Sequence, residues 1–390
     1  MGFRAPFHFA VCPRSLLPIR RKAIRSGKGA HAVSERYRVE DLKKFATAML
    51  CAAGQDPVQA RAVADTLVEA DLLGYTTHGI QFLPQYCAAL ENGAMAPRGE
   101  VAVVRDEGDA LLLDGGMLAG PWCMRHAVRM ALERAGDHGA VTALVRRAHN
   151  TACLATYLLP VVEAGMIGLT FVSGVGNRAV APPGGKAGRY STNPLAAGFP
   201  TRDDPVLIDM ATSATTNRLT ERLAREGKSH RGAPMLDAEG NPSDDPLVLV
   251  RGGGAIRPLG GDVNEHKGYA LALMIEALSA CLSGGGRAWA EASGQPGGSA
   301  AFIQIINPDR FAGREAFLNE ISFLADYLKD TPARPGSDGV RVPGQRAFAA
   351  RRDHLARGVV LEPSIRPHVE PAARRYGLAF PDPVGSEAPR

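Results

Sequence analysis

Apolar residues recur at three- and four-residue spacing near the start of the chain, first at Leu42, Phe45, Ala46 and Met49 and then at Val63, Leu67 and Ala70. That period predicts two amphipathic helices, separated by Gly54 and Pro57. Gly74 ends the second helix, and Tyr75, Thr76 and Thr77 continue it poorly. His78 therefore falls on a short polar connector ahead of a third apolar run over residues 82–90. Beyond residue 100 the pattern alternates. Short β-rich runs over residues 101–104 and 110–113 flank a charged turn, residues 122–137 read as a helix and residues 140–145 as a strand. A helix over 154–164 leads to a strand over 166–172, a Gly- and Pro-rich region over 174–205 and another strand over 206–210. Residues 219–226 read as a helix, 229–261 mostly as loop, and 268–281 as a strongly apolar helix. A strand over 302–306, a helix over 314–329 and a Pro-rich connector over 331–344 follow. The pattern predicts a mixed α/β fold with about eight strands and no internal repeat.

One motif needs the helix pattern to judge it. Gly174-Val175-Gly176-Asn177-Arg178-Ala179 matches the GxGxxA dinucleotide fingerprint and follows a predicted strand. That fingerprint holds a pyrophosphate because a helix begins at once and presents its first amides and dipole. Pro182, Pro183, Gly184 and Gly185 leave no room for such a helix, so a standard Rossmann unit is not expected.

Composition narrows the classes. With 390 residues, 45% hydrophobic and 22% charged, the chain can bury a large core. No apolar stretch reaches the roughly 20 residues of a membrane span, and the best candidate, residues 269–282, carries Glu276. The six cysteines show no paired spacing, which argues against a disulfide framework and against a zinc site, and fits a reducing cytoplasm. The net charge of +5 is concentrated at one end: residues 1–38 hold 9 of the 45 basic but only 1 of the 40 acidic residues, leaving 36 against 39 in the remainder. Residues 1–37 read as a basic N-terminal extension, expected to be disordered, and open to being a weak targeting sequence or translated upstream codons. Basic charge confined to an arm does not make a nucleic-acid-binding face.

Six longer stretches carry a resemblance. ADLLGYTTHGIQFLPQY, GMIGLTFVSG, PPGGKAGRYSTNPLAAGFP, VLIDMATSATTN, HKGYALALMIEAL and RVPGQRA resemble, in order, the type 2 malate/L-lactate dehydrogenases. These are non-Rossmann NAD(P)-dependent oxidoreductases, whose relatives include ureidoglycolate and sulfolactate dehydrogenases and cyclic-imine reductases. The likeness runs from about residue 38 to about residue 380 and is strongest to the hydroxycarboxylate dehydrogenase subgroup. It implies a mixed sheet flanked by helices, in one catalytic unit over 38–385 with a helical part (38–100) and a cofactor-binding α/β part (101–385). It also implies NAD or NADP as cofactor and a homodimer.

By this resemblance His78 is the general acid that protonates the substrate carbonyl or imine as hydride arrives, a role that suits a group titrating near neutrality. Thr77 stands where the family usually has Ser. The cofactor is expected at the strand Pro205, Val206, Leu207, Ile208, Asp209, Met210 and Ala211, with Asp209 as a ribose acceptor. His266 and Lys267, and the segment Gly344, Gln345 and Arg346, are the other two expected places, while Thr192 and Asn193 frame the nicotinamide pocket. Each has a plainer alternative: Asp209 as a helix cap, Lys267 as a solvated helix start, Arg346 as a surface charge. Three departures stand out. Asn150 replaces a second active-site histidine, for which the neighbouring His149 is the candidate substitute if the loop shifts; Phe82 and Gln85 stand where many members have arginines that bind the substrate carboxylate; and Arg218, where close relatives tend to have glycine, is a candidate for that missing cation. The expected activity is hydride transfer between NAD(P)(H) and a small 2-hydroxy acid, its 2-oxo counterpart or a cyclic imine. Asn150 motivates an alternative, a catalytically impaired relative that binds the dinucleotide without efficient turnover. No metal site is expected.

Overall fold

The computed structural model describes residues 35–385; the expected basic extension, up to Ser34, lies outside them. The described chain begins with β1 (Arg36–Tyr37), α1 (Val39–Ala52), α2 (Pro57–Leu72) and α3 (Leu83–Glu91). Then come β2 (Ala102–Asp106), β3 (Ala110–Asp114), α4 (Gly120–Ala135), β4 (Ala140–Ala148), α5 (Ala155–Glu163), β5 (Ile167–Gly174), β6 (Leu195–Phe199) and β7 (Val206–Met210). α6 (Asn217–Glu226), β8 (Met235–Leu236), β9 (Pro242–Ser243), α7 (Leu247–Val250), β10 (Ala255–Ile256) and α8 (Gly261–Glu276) follow. α9 (Arg287–Ser293), β11 (Ser299–Ile306), α10 (Arg314–Lys329), α11 (Gln345–Arg357), β12 (Val359–Val360) and α12 (Ile365–Arg375) complete it.

A seven-stranded mixed sheet, ordered β2-β3-β4-β11-β5-β6-β7, is the centre of the fold. Only the β3–β4 pair, joined across α4, is parallel; the other pairs are antiparallel. Alternation along the strands divides the two faces. Val141, Ala143 and Val145 of β4 and Ala301, Ile303 and Ile305 of β11 join Met124, Ala127, Leu158 and Val161 from α4 and α5 in the main core. On the other face Ala300 meets Ala280, in the π-helical turn (Ala277–Cys281) that extends α8, and Phe302 stacks on Phe171.

A second core gathers α1, α2, α3 and α12 around Leu42, Met49, Leu67, Ile80, Leu83 and Val369. Asp56 accepts from Val58 and Gln59 to cap α2, with Pro57 at its first position. β1 pairs with β12, so Arg36 and Tyr37, expected in the extension, belong to the fold.

The fold is the expected mixed α/β arrangement, and residues 175–194 contain turns and bridges but no helix. Four features differ from the pattern-based expectation. β6 lies inside the stretch read as loop; its Leu-Ala-Ala-Gly-Phe sequence has little β signature and is extended because it pairs on both sides. A three-stranded sheet of two-residue strands, β8 to β10, lies within residues 229–261. α8 begins at Gly261, which puts His266 and Lys267 inside the helix, not at its start. α9, α11 and α12 were not expected.

Candidate functional site

His78 lies on the tight turn between α2 and α3, its N–H donating to Tyr75 O at 2.8 Å. The turn is shaped from below by Asp71, whose side chain at the end of α2 is fully buried. Asp71 Oδ2 accepts the Ile80 N–H at 2.8 Å, and Oδ1 has no partner. A Cβ on Gly79 would run into that carboxyl, so glycine beside His78 is a steric requirement. Burial raises the Asp71 pKa to about 8, against the lowering effect of the Ile80 donor. Asp71 carries no sequence motif of its own; an acid between Ala70 and Leu72 on an apolar helix was the available signal.

The imidazole itself is partly buried. Nδ1 is 2.8 Å from Thr77 Oγ1, and Nε2 makes no hydrogen bond among the described residues. Burial first, and the Arg218 charge second, lower its pKa to about 4, so the ring is neutral near pH 7. His78 packs on Phe82 with centroids 5.6 Å apart, Phe82 on Tyr86 at 6.0 Å, and Tyr86 on His149 at 5.7 Å. This aromatic ladder joins the His78 turn to the end of β4. There Tyr86 Oη donates to Asn150 O at 2.6 Å.

Asn150 is tied into its own turn through one side-chain oxygen. Its Oδ1 accepts the Ala152 N–H at 2.9 Å, a local turn that leaves Ala152 at φ 54°. His149, with its Nδ1 buried and unpartnered, has its pKa lowered to about 4 by burial.

β7 is the sheet's edge strand, and it brings two of the three expected cofactor segments together. Leu207 N donates to Pro343 O at 3.1 Å, and a Cβ on Gly344 (φ 96°) would collide with Pro205 O and Leu207. Gln345 and Arg346 then open α11, exposed. Beyond Leu207, towards Met210 and Ala211, the outer edge of β7 has no backbone partner among the described residues. Asp209 does not reach that open edge. Its Oδ2 accepts the Ala155 N–H at 2.8 Å and the Cys153 thiol at 3.4 Å, so it caps α5, and burial raises its pKa to about 6. The plainer reading of Asp209, as a helix cap, describes its Oδ2. Burial, with smaller contributions from Asp209 and Cys153, raises the pKa of Tyr75 in the His78 turn.

Asn193 is fully buried, donating to Ala272 O at 3.0 Å and Glu276 Oε1 at 3.1 Å, which fixes the loop against α8. Thr192 O receives Thr212 N and Oγ1 at 3.1 and 3.2 Å. His266 and Lys267 are exposed on α8, with no hydrogen bond or ion pair among the described residues. The free edge of β7 offers backbone donors and acceptors to an amide or a ribose, and the exposed Lys267 and Arg346 offer charge to phosphate. The residues present therefore fit a dinucleotide.

Arg218, at the start of α6, comes back over α3. Its guanidinium donates to Gln85 Oε1 and to Glu221 Oε2, and its Cζ lies 4.7 Å from the centre of the Phe82 ring. One turn on, Arg222 donates to Thr76 Oγ1 at 3.1 Å.

The malate/L-lactate dehydrogenase family profile matches residues 37–369. The chain belongs to that family. It is 34% identical to the L-lactate dehydrogenase of Cupriavidus necator over 85% of this chain and 95% of that protein. It is 31% identical to hydroxycarboxylate dehydrogenase B of Escherichia coli O157:H7, over 88% and 95%. The solved structure of malate dehydrogenase from Pyrococcus horikoshii superposes with a TM-score of 0.80 at 28% identity, covering 90% of this chain and 99% of that one. Among the described residues no helix is long and apolar enough to cross a membrane, and no cluster of three metal-ligating side chains occurs.

Proposed function

We propose that the protein is an NAD- or NADP-dependent dehydrogenase of a small 2-hydroxy acid and its 2-oxo counterpart, with cyclic imines as the related substrate class. The observation that carries this reading is His78: a neutral imidazole, oriented through Nδ1 by Thr77, with Nε2 free in a partly buried turn. The edge of β7 from Pro205 to Ala211 and the turn at Gly344, Gln345 and Arg346 would hold the dinucleotide, with His266 and Lys267 on the α8 side and Thr192 and Asn193 framing the loop between. The bound nicotinamide supplies the hydride acceptor or donor. In oxidation His78 Nε2 takes the proton of the substrate hydroxyl as the C–H hydride departs; in reduction the protonated ring returns it to the oxygen. Asp71 and Gly79 set the turn that aims the ring, and Phe82 keeps one side of it dry.

His78→Ala should lower turnover by about 100- to 10,000-fold, the usual range for a positioned acid or base, while cofactor affinity stays within a few-fold. A screen of 2-oxo acids and cyclic imines against both reduced cofactors measures this; wild-type turnover in His78→Ala would end the mechanism. A second reading, a dinucleotide-binding protein without efficient turnover, is favoured by one observation, the commitment of the Asn150 amide to its own turn. Cofactor binding with no turnover across the whole screen would select it. The described cysteines are all free, which supports a cytoplasmic setting. A homodimer completes the proposal, supported by α10, which buries none of its residues and exposes Phe323 and Tyr327 at 70% and 66%.

A further inference from the structure

A 2-hydroxy or 2-oxo acid carries its carboxylate on the atom next to the reacting carbon. Whatever group meets the reacting oxygen therefore has the carboxylate beside it, and a carboxylate leaving water needs a cationic or multi-donor partner. Phe82, just ahead of α3, and Gln85 in its first turn lie on that side, and residues 79–91 contain no Lys or Arg. The cation comes from elsewhere in the chain.

Arg218 reaches this spot from α6. Its guanidinium lies over the Phe82 ring on which His78 also packs, and it is the charged group felt by both His78 and Tyr86. A guanidinium has five N–H donors in one plane. Glu221 and Gln85 each accept from it, on Nη1 and Nη2, which fixes the plane and leaves other donors for a ligand. Phe82 covers one face, so an anion must approach the edge, the geometry of a two-point carboxylate contact. The position is also held: Thr216 Oγ1 caps α6 by accepting the Leu219 N–H at 3.2 Å, and Arg222 ties α6 to Thr76, two residues before His78.

We propose that Arg218 anchors the substrate carboxylate beside His78, so that α6, not α3, supplies the specificity-determining cation of this site. The inference rests on the dehydrogenase reading for the identity of the ligand. An ordinary i,i+3 surface pair with Glu221 would place no demand on Gln85 or Phe82 and would not affect ligand binding.

The test uses the full chain loaded with NADH or NADPH and oxamate, a carboxylate-bearing analogue of a 2-oxo acid, followed by nicotinamide fluorescence, alongside steady-state turnover of pyruvate. Arg218→Met should weaken oxamate and raise KM by roughly 10- to 100-fold, the range of one charged hydrogen-bonded contact, with cofactor affinity within a few-fold. Arg218→Lys, which keeps the charge but not the fork, should fall between. Adding Gln85→Arg to Arg218→Met puts a guanidinium back from the α3 side and should recover about tenfold or more of the oxamate affinity. Arg218→Met with wild-type oxamate affinity and KM overturns the anchor, as does a wild type that binds cofactor but no oxamate. If Arg218→Met does not fold, an Arg218→Lys protein with unchanged oxamate affinity and KM overturns it equally. Oxamate binding that depends on Arg218 without turnover of any 2-oxo acid would keep the anchor and sink the dehydrogenase reading instead.

Discussion

Burial holds His78 and His149 neutral, each with its pKa lowered to about 4, and holds a proton on Asp71 up to about pH 8. The effects on stability have opposite signs. An unfolded imidazole takes up a proton near pH 6.5 that the folded ring refuses until about pH 4, so stability falls as pH drops through that window. An unfolded aspartate releases its proton near pH 4 while folded Asp71 keeps it, so this group costs stability as pH rises from about 4 to about 8. Asp71→Asn removes the second effect. The difference in Tm between variant and wild type should therefore move in the variant's favour from about pH 5 to about pH 8, and a pH-independent difference would show that Asp71 is ionised in the fold. For turnover, oxidation uses the neutral His78 ring, so its kcat/KM should hold through neutral pH and fall only towards about pH 4. Arg218→Met lifts a like charge from that ring, so this acid limb should shift to higher pH; solvent at the partly exposed ring screens part of the repulsion and keeps the shift small. The placement of His78 on a connector after a helix end was legible in the sequence, while its proposed role came from the family resemblance. The partnership of Arg218 with Gln85 was not legible, because the two are 133 positions apart and only the packing of α6 over α3 brings them together.

At the scale of elements, periodicity located α1 to α5 and the inner strands other than β6 because buried and less buried positions alternate along them. It failed where pairing or packing overrides local preference. β6 is extended by its two neighbours, and α11 by its docking on α2, where Arg351 meets Glu69 and His354 Nδ1 contacts Leu72 O. α6 shows the same dependence in reverse. It is a charged helix of 10 residues with only Thr220 buried, so its end contacts matter more than its core. Thr216→Ala removes the cap and should cost about 1 kcal/mol, a drop in Tm of about 1–2 °C for a chain of this size. If Arg218 works as proposed, the same variant should raise KM for the 2-oxo acid more than it lowers kcat, because it loosens the anchor without touching His78. Calorimetry and steady-state kinetics on one preparation separate the two effects, and an unchanged KM with lowered Tm would confine the cap to a structural role.

At the scale of the molecule, the two large cores and two smaller clusters at α8 and α9 leave some helices with apolar side chains facing outward. On α10, Phe323 and Tyr327 stack with centroids 6.2 Å apart, and Leu324 and Leu328 beside them are 48% and 42% exposed. On α8, Leu273 and Met274 are 56% and 41% exposed, with Leu282 at 58% beyond the π turn. Single exposed apolar residues are ordinary, but adjacent aromatic and aliphatic ones on a helix with no buried residue fit a surface for another chain. In the proposed homodimer an isologous contact would bring the same patches from each protomer. Placing charge at the centre of the α10 stripe tests this at residues that make no contact with His78, although α10 itself packs on Arg202 ahead of β7. Phe323→Asp combined with Tyr327→Asp should halve the sedimenting mass at micromolar concentration and remove the dependence of Tm on protein concentration expected of a dimer. A double variant that sediments as the wild type does would show that the α10 stripe lies outside the dimer contact. A wild type that is already monomeric would remove the homodimer from the proposed function, leaving His78 and Arg218 to be judged on their own kinetics.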